Sequence, residues 1–116
     1  MSEKRKHVRV PLRLEAHWNG LARKDPAVTS DLSSGGCYIE SIDDVKVGQI
    51  LNLELKLPSQ RTLPLHGEVR YTHPMIGFGI RFVEVPALQQ AVLTSLLRQQ
   101  AMTLAGGSTR HVFAAA

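Results

Sequence analysis

Residues 50–57 read I-L-N-L-E-L-K-L, and this short run decides the class of fold. Apolar side chains alternate with mostly polar ones along the whole run. A period of two places one face of a β-strand in a core and the other in solvent. Pro58-Ser59 follows directly and ends the run. The alternation therefore predicts a half-buried strand over these residues.

Similar short runs lie on both sides of it, separated by turn residues such as Asn19-Gly20 and His73-Pro74. The predicted strands are residues 10–18, 27–32, 37–40, 50–57, 63–71 and 76–83. About six short strands with no helix among them indicate an antiparallel sandwich or barrel. Residues 10–85 are therefore predicted to form a single all-β unit.

The apolar pattern changes at Pro86. From there to residue 104 apolar side chains recur at spacings typical of an amphipathic helix, predicted over residues 86–105. Gly106-Gly107 suits a helix end, and residues 106–116 are predicted to be a disordered tail. We expect the apolar stripe of the helix to pack on the open side of the β-unit. A stripe too wide to be covered would become a dimer surface, so a monomer or a weak homodimer is expected.

Positive charge is concentrated at the start of the chain. The net charge is +4, and residues 1–13 hold five basic residues against one acid. Residues 1–9 are interpreted as a flexible basic arm, which indicates an anionic partner. A solvated arm that only aids solubility is the alternative.

Other features exclude several classes of protein. The chain of 116 residues fits one domain. No run approaches the ~18 apolar residues of a spanning helix, and the charged N-terminus is not a signal peptide, so no membrane insertion is expected. The only cysteine, Cys37, suits a reducing compartment, and the cytoplasm is predicted. The histidines lack metal-ligand spacing, and no phosphate-loop or nucleophile motif occurs. We expect no enzyme activity, no metal and no cofactor.

Two polar clusters remain. Residues 5–9 read R-K-H-V-R and residues 31–36 read D-L-S-S-G-G. With the strand pattern between and after them, they resemble the PilZ domain family, whose members carry R-x-x-x-R followed by [D/N]-x-S-x-x-G. The resemblance covers roughly residues 4–105. It implies a six-stranded antiparallel β-barrel with a C-terminal helix, which binds the bacterial second messenger cyclic di-GMP between the arm and the barrel.

The motif positions are the candidate ligand-binding residues. Arg5 and Arg9 fill the first motif, and Asp31, Ser33 and Gly36 fill the second. A guanidinium can form paired hydrogen bonds with a guanine edge or a phosphate while stacking on a base, which lysine cannot match. The carboxylate can accept hydrogen bonds from guanine N1–H and N2–H₂, and the hydroxyl can reach the same base or a phosphate.

The glycine pair of the second motif completes the candidate site. Gly35 and Gly36 allow close backbone approach or a positive φ angle where a side chain would collide. Simpler roles are open as well. Asp31 and Ser33 could satisfy backbone groups of a turn, and the glycines could form only a bulge.

Three further residues are candidates for the surroundings of the site. Lys4 directly precedes the first motif arginine. In the family an arginine there accompanies binding of a stacked ligand dimer, so one and two ligands per protomer are both open. Arg70 and Tyr71 could line the far side of the site, although Tyr71 is predicted to belong to the core.

The predicted function is that of a cyclic di-GMP receptor, which passes the signal to an effector protein when its arm becomes ordered. A basic barrel that binds single-stranded nucleic acid is the first alternative, and it lacks the exposed aromatic platform such proteins use. A ligand-independent PilZ-type adaptor is the second. Adaptors of that kind typically lack the motif arginines, and this chain has both. No nucleic-acid partner is expected.

Overall fold

The computed structural model of the chain describes residues 8–19 and 27–115, with side chains described as far as residue 105. This part of the chain forms seven strands and one helix. In chain order they are β1 (Val10–Pro11), β2 (Glu15–Trp18), β3 (Ala27–Leu32), β4 (Gly36–Glu40), β5 (Ile50–Lys56), β6 (Thr62–His73), β7 (Gly77–Phe82) and α1 (Ala87–Ala115).

Six of the strands form a closed antiparallel barrel. Neighbouring strands follow the order β3-β2-β5-β6-β7-β4, and the pairing of β4 with β3 closes the ring. The additional strand, β1, pairs with β3 in line with β2. The prediction of a six-stranded antiparallel β-barrel with a C-terminal helix is confirmed. Because the ring is closed, each of the six strands has a hydrogen-bonded neighbour on both sides along at least part of its length.

The predicted strand over residues 10–18 is interrupted in the structure. Val10 pairs with Leu32 and Glu15 with Val28, so this segment holds one residue more than the strand it faces. The side chain of the fully buried Thr29 fills the gap. Its hydroxyl accepts a hydrogen bond from the Leu14 amide at 2.9 Å and donates one to the Leu12 carbonyl at 2.7 Å. A side chain thus replaces the missing ladder bonds of a β-bulge.

The barrel interior follows from the alternation of the strands. In β5 the three leucines that face inward are at most 1% exposed, whereas the residues between them are exposed. Trp18 and Phe78 cross the core from opposite walls with their rings 5.4 Å apart at 89°. Burial of each such side chain contributes about 2 kcal/mol to folding. The core therefore fixes which side chains of each strand point outward, toward the candidate site.

The helix begins as predicted but ends later. It starts at Ala87, directly after Pro86, and its backbone continues through the glycine pair to Ala115, where a disordered tail over residues 106–116 was expected. Glycine lowers helix stability by about 1 kcal/mol without preventing helical backbone geometry. Leu93 and Leu96 are buried against the barrel, whereas Leu88 remains exposed. The barrel thus covers only part of the apolar stripe.

Candidate ligand-binding site

The turn between β3 and β4 is held together by the hydroxyl of Ser33. This side chain is 3% exposed, and its Oγ accepts hydrogen bonds from the amides of Gly35 and Gly36 at 3.1 Å each. The hydroxyl also lies 3.3 Å from the Gly36 carbonyl, to which it donates. One donor and two acceptor positions are all that a hydroxyl offers. Ser33 therefore shapes the turn with its full hydrogen-bonding capacity.

The two glycines of this turn are anchored to strand β7. A Cβ atom on Gly36 would lie 2.1 Å from the carbonyl oxygen of Ile80, which is part of the sheet backbone. The carbonyl of Gly35 accepts a hydrogen bond from the Phe82 amide at 2.8 Å. The close approach anticipated for Gly36 is thus an approach to the neighbouring strand. Absence of a side chain at this position is needed for β4 to pair with β7.

Arg9 and Asp31 meet at the edge of this turn. Nη1 of Arg9 donates to Oδ1 of Asp31 at 2.7 Å, and the side chains are 28% and 32% exposed. Pairing of Pro11 with Asp31 across β1 and β3 brings the two side chains together. Both groups retain surface that a ligand can reach. We predicted that the two motifs come together in space, and the contact of Arg9 with Asp31 shows this for one residue of each motif.

The remaining residues predicted from the first motif are Arg5 and Lys4. Both lie outside the residues that the structure describes. Their contact with a ligand stays a prediction. The described part of the site contains one motif arginine, paired with one acid.

Three aromatic side chains, Tyr38, Tyr71 and His73, form a cluster on the outer surface beside this pair. Tyr38 lies opposite Asp31 in the β3–β4 ladder. The two tyrosine rings are stacked with centroids 6.1 Å apart, and the Tyr38 hydroxyl lies 2.8 Å from Nδ1 of His73. Tyr71 is 44% exposed, so its prediction as a core residue was wrong. The bulge between Val69 and Tyr71 accounts for the error, because it changes the inward and outward alternation of β6.

Sequence reasoning missed Tyr38. The signal was present in the strand pattern, because Cys37 and Ile39 on either side of it are fully buried. Alternation therefore required the intervening ring to point outward. Its position two residues after the second motif places it next to Asp31 on the barrel surface.

Two ionisable groups near the site have shifted pKa values. Burial raises the pKa of the Cys37 thiol to about 12, with Asp31 raising it further and Arg9 lowering it. Partial burial raises the pKa of the Tyr38 hydroxyl, and neighbouring Tyr71 and Glu40 act in the same direction. At neutral pH the Cys37 thiol and the Tyr38 phenol are both protonated. Cys37 is accordingly a core residue and a poor nucleophile.

Other charged groups of this surface are paired within the protein. Arg13, which lies between β1 and β2, is 3.3 Å from Glu40 at the end of β4. Glu68 lies 3.8 Å from Arg70 and 3.5 Å from Arg81. These exposed pairs contribute little to stability. Because Arg70 and Arg81 share the single carboxylate of Glu68, this group of three keeps one net positive charge.

Within residues 8–19 and 27–115 no three histidine, cysteine, aspartate or glutamate side chains are grouped so as to hold a metal ion. In the same part of the chain no helix is long and apolar enough to cross a membrane.

The fold is a closed six-stranded barrel. On its outer surface an arginine and an aspartate form an ion pair beside a turn built from serine and glycine. These features define a class of small β-barrel domain with a polar surface site. Residues 3–99 match the PilZ domain family, which is most of the chain. The chain belongs to the PilZ domain family. No curated protein matches it in sequence.

Solved structures share the fold. YcgR of Escherichia coli in complex with c-di-GMP (cyclic di-GMP) is 13% identical with a TM-score of 0.76, over 92% of this chain and 50% of that one. The inhibitor of motility MotI/DgrA of Bacillus subtilis is 21% identical with a TM-score of 0.67, over 84% and 51% of the two chains. The PilZ domain of E. coli YcgR with c-di-GMP is 16% identical with a TM-score of 0.65, over 88% and 97%. The chain thus spans about half the length of the MotI and YcgR structures and nearly all of the isolated PilZ domain.

Proposed function

We propose that this chain is a receptor for cyclic di-GMP that passes the binding signal to an effector protein. The observation that carries the proposal is the Arg9–Asp31 pair, which lies beside the Ser33 turn on a PilZ-family barrel. Two structures of similar fold, YcgR and its isolated PilZ domain, are complexes with c-di-GMP. Their ligand is the first candidate for this chain.

The chemistry of the pair fits a guanine dinucleotide. Cyclic di-GMP has two guanines and two phosphates, so its site needs hydrogen-bond acceptors for guanine N–H groups and cations for phosphate or guanine O6 and N7. Asp31 supplies the acceptor, and Arg9 supplies a planar cation. Arg5 and Lys4 add positive charge just before Arg9 in the sequence. Ser33 acts by holding the turn that positions Asp31.

Ligand binding would rearrange the Arg9–Asp31 pair. Arg9 donates a hydrogen bond to Asp31 at 2.7 Å. A guanine that donates to Asp31 must therefore share the carboxylate with Arg9 or displace the arginine. A displaced Arg9 would be free to turn to a phosphate or a guanine edge. The arm preceding it would then order over the ligand, and folding of an arm onto a ligand is a common switching device.

The strand that follows the arm touches the helix. Nε2 of Gln100 in α1 donates to the carbonyl of Pro11 in β1 at 3.0 Å. A change in the arm can therefore reach α1, whose partly exposed apolar stripe includes Leu88 and Met102. We infer an effector protein as the recipient of the signal and a monomer or weak homodimer as the receptor. The reduced, buried Cys37 suits the cytoplasm as its location.

Isothermal titration of the full chain with cyclic di-GMP tests the proposal. We expect micromolar or tighter binding by the wild type and loss of measurable binding in Asp31→Ala. A single-stranded oligonucleotide serves as the competing ligand. A flat wild-type titration with cyclic di-GMP, or salt-dependent binding of the oligonucleotide alone, would overturn the assignment.

A further inference from the structure

We infer that Tyr38 and Tyr71 form a stacking surface for one guanine base of the ligand, an inference that rests on the proposed function above. The two rings lie on the same outer face as Asp31, in one row across the barrel. Asp31 is the ladder partner of Tyr38, Tyr38 is the partner of Gly79, and Gly79 is the partner of Tyr71. Adjacent strands lie about 4.8 Å apart, so the aromatic surface begins one strand away from the carboxylate.

The surface is built on two glycines of β7. A Cβ atom on Gly79 would lie 2.3 Å from Cζ of Tyr71, and one on Gly77 would lie 2.7 Å from Cε2 of Tyr38. The rings therefore occupy the space above the glycine backbone. A larger residue at Gly79 would displace the Tyr71 ring, and one at Gly77 would meet both the Tyr38 ring and the backbone carbonyl oxygen of Ile39, at 2.3 Å. A flat aromatic surface results, and Tyr71 remains 44% exposed on it.

A third side chain holds the surface in place. The Tyr38 hydroxyl is protonated at neutral pH because partial burial raises its pKa, so it can donate to Nδ1 of His73 at 2.8 Å. The ring of His73 lies 5.4 Å from that of Tyr71 and 5.7 Å from that of Tyr38, measured between centroids. Rings that are already fixed lose little conformational freedom when a base stacks on them.

Stacking would provide a contact for the face of a base, which the Arg9–Asp31 pair does not provide. Arg9 and Asp31 can bind the edges of a base or a phosphate, but a dinucleotide also presents two large π-faces. Base–aromatic stacking contributes a substantial part of the affinity of nucleotide sites and needs no particular base edge. We therefore assign the edge of the base to the carboxylate of Asp31. The face of the base is assigned to the rings of Tyr38 and Tyr71, which begin one strand further along the barrel. The simpler role for the rings is a cross-strand contact that only stabilises the sheet.

Titrations of four variants separate the two roles. Tyr38→Leu and Tyr71→Leu are expected to weaken cyclic di-GMP binding about ten- to a hundredfold relative to wild type. Tyr71→Phe retains the ring and is expected to restore binding to within about threefold. Ile50→Ala removes an exposed apolar side chain from strand β5 and serves as the control with wild-type affinity. Thermal unfolding of each variant shows whether it is folded.

A second measurement uses the wild-type chain and depends on no substitution. Tyr38 and Tyr71 are the only two tyrosines of the chain, so spectra of ring-labelled tyrosine report on this surface alone. We expect upfield ring shifts and an Overhauser contact between guanine H8 and a tyrosine ring when cyclic di-GMP is added. Wild-type binding with unshifted tyrosine signals, or with unchanged affinity in both leucine variants, would overturn the stacking assignment and leave the receptor proposal intact. Absence of wild-type binding would overturn both.

Discussion

The side chains of Arg9 and Asp31, far apart in sequence, are joined by a 2.7 Å ion pair at the edge of the β3–β4 turn. The pair unites the two sequence motifs. Each of the two groups is the hydrogen-bond partner of the other, so the proposed ligand would have to exchange with one of them. A pair with about 30% exposure on each side is held weakly enough for such an exchange.

Replacement of Arg9 by alanine is expected to separate binding from stability. Cyclic di-GMP affinity should fall below detection, because the only described motif cation is lost. The free energy of unfolding should change by no more than about 1 kcal/mol, because a partly exposed ion pair contributes little. Calorimetric titration and urea unfolding give the two values. Arg13→Ala is the matched control, since Arg13 also forms an exposed ion pair, with Glu40 at 3.3 Å. Equal loss of affinity in both variants would contradict a specific role for Arg9.

Replacement of Ser33 by alanine is expected to destabilise the domain. The amides of Gly35 and Gly36 would lose their common acceptor within a buried turn. Leaving buried donors unpaired costs about 1–3 kcal/mol, measured as a decrease in the free energy of urea unfolding. Ser59→Ala is the control, because the Ser59 hydroxyl accepts one long, exposed hydrogen bond of 3.4 Å in another turn. A Ser33→Ala protein as stable as Ser59→Ala would show that the turn holds without the hydroxyl.

Replacement of Gly36 by alanine should damage the barrel more than the site. The new Cβ would lie 2.1 Å from the Ile80 carbonyl oxygen, and sheet backbone must move to admit it. We expect a loss of about 2 kcal/mol or more in urea unfolding. Gly48→Ala provides the comparison, because Gly48 has φ +92° with open space around it, so only backbone strain of about 1 kcal/mol is added. A smaller effect at Gly36 than at Gly48 would contradict the crowding argument.

Much of the barrel could be predicted because its strands obey a local rule. Alternation over residues 50–57 follows from burial of one face only, and β5 forms there. The interruption of residues 10–18 could not be predicted in this way. Its stability depends on Thr29, which lies across the ladder in another strand and supplies hydrogen bonds from its side chain. Such a bulge is a property of two strands together and is invisible in the pattern of either one.

The same distinction applies to the candidate site, where some residues could be found from the sequence and others could not. Arg9 and Asp31 were found because they belong to short motifs with fixed spacing, and their contact requires only that β1 and β3 pair. Tyr38 was missed, and Tyr71 was named only as a residue that could line the site, because their contact depends on three other strands. Tyr38 and Tyr71 come together over Gly79, and only the order β4-β7-β6 brings these three positions into one row. Sequence patterns predict which way a side chain points, but not which neighbours the closed barrel gives it.

The buried Cys37 is expected to make stability depend on pH in the alkaline range. Its pKa rises from 9.0, the ordinary value that applies to the unfolded chain, to about 12 in the folded protein. The folded state thus keeps a proton that the unfolded state releases above pH 9. The contribution of Cys37 to stability is therefore complete below pH 9 and is lost as the pH rises toward 12, at up to about 1.4 kcal/mol per pH unit. Urea unfolding between pH 8 and pH 10.5 measures the slope in wild type and in Cys37→Ala, in which all other titrating groups are kept. The wild-type curve should fall more steeply above pH 9, and parallel curves for the two proteins would mean that the thiol ionises in the folded core as readily as in the unfolded chain.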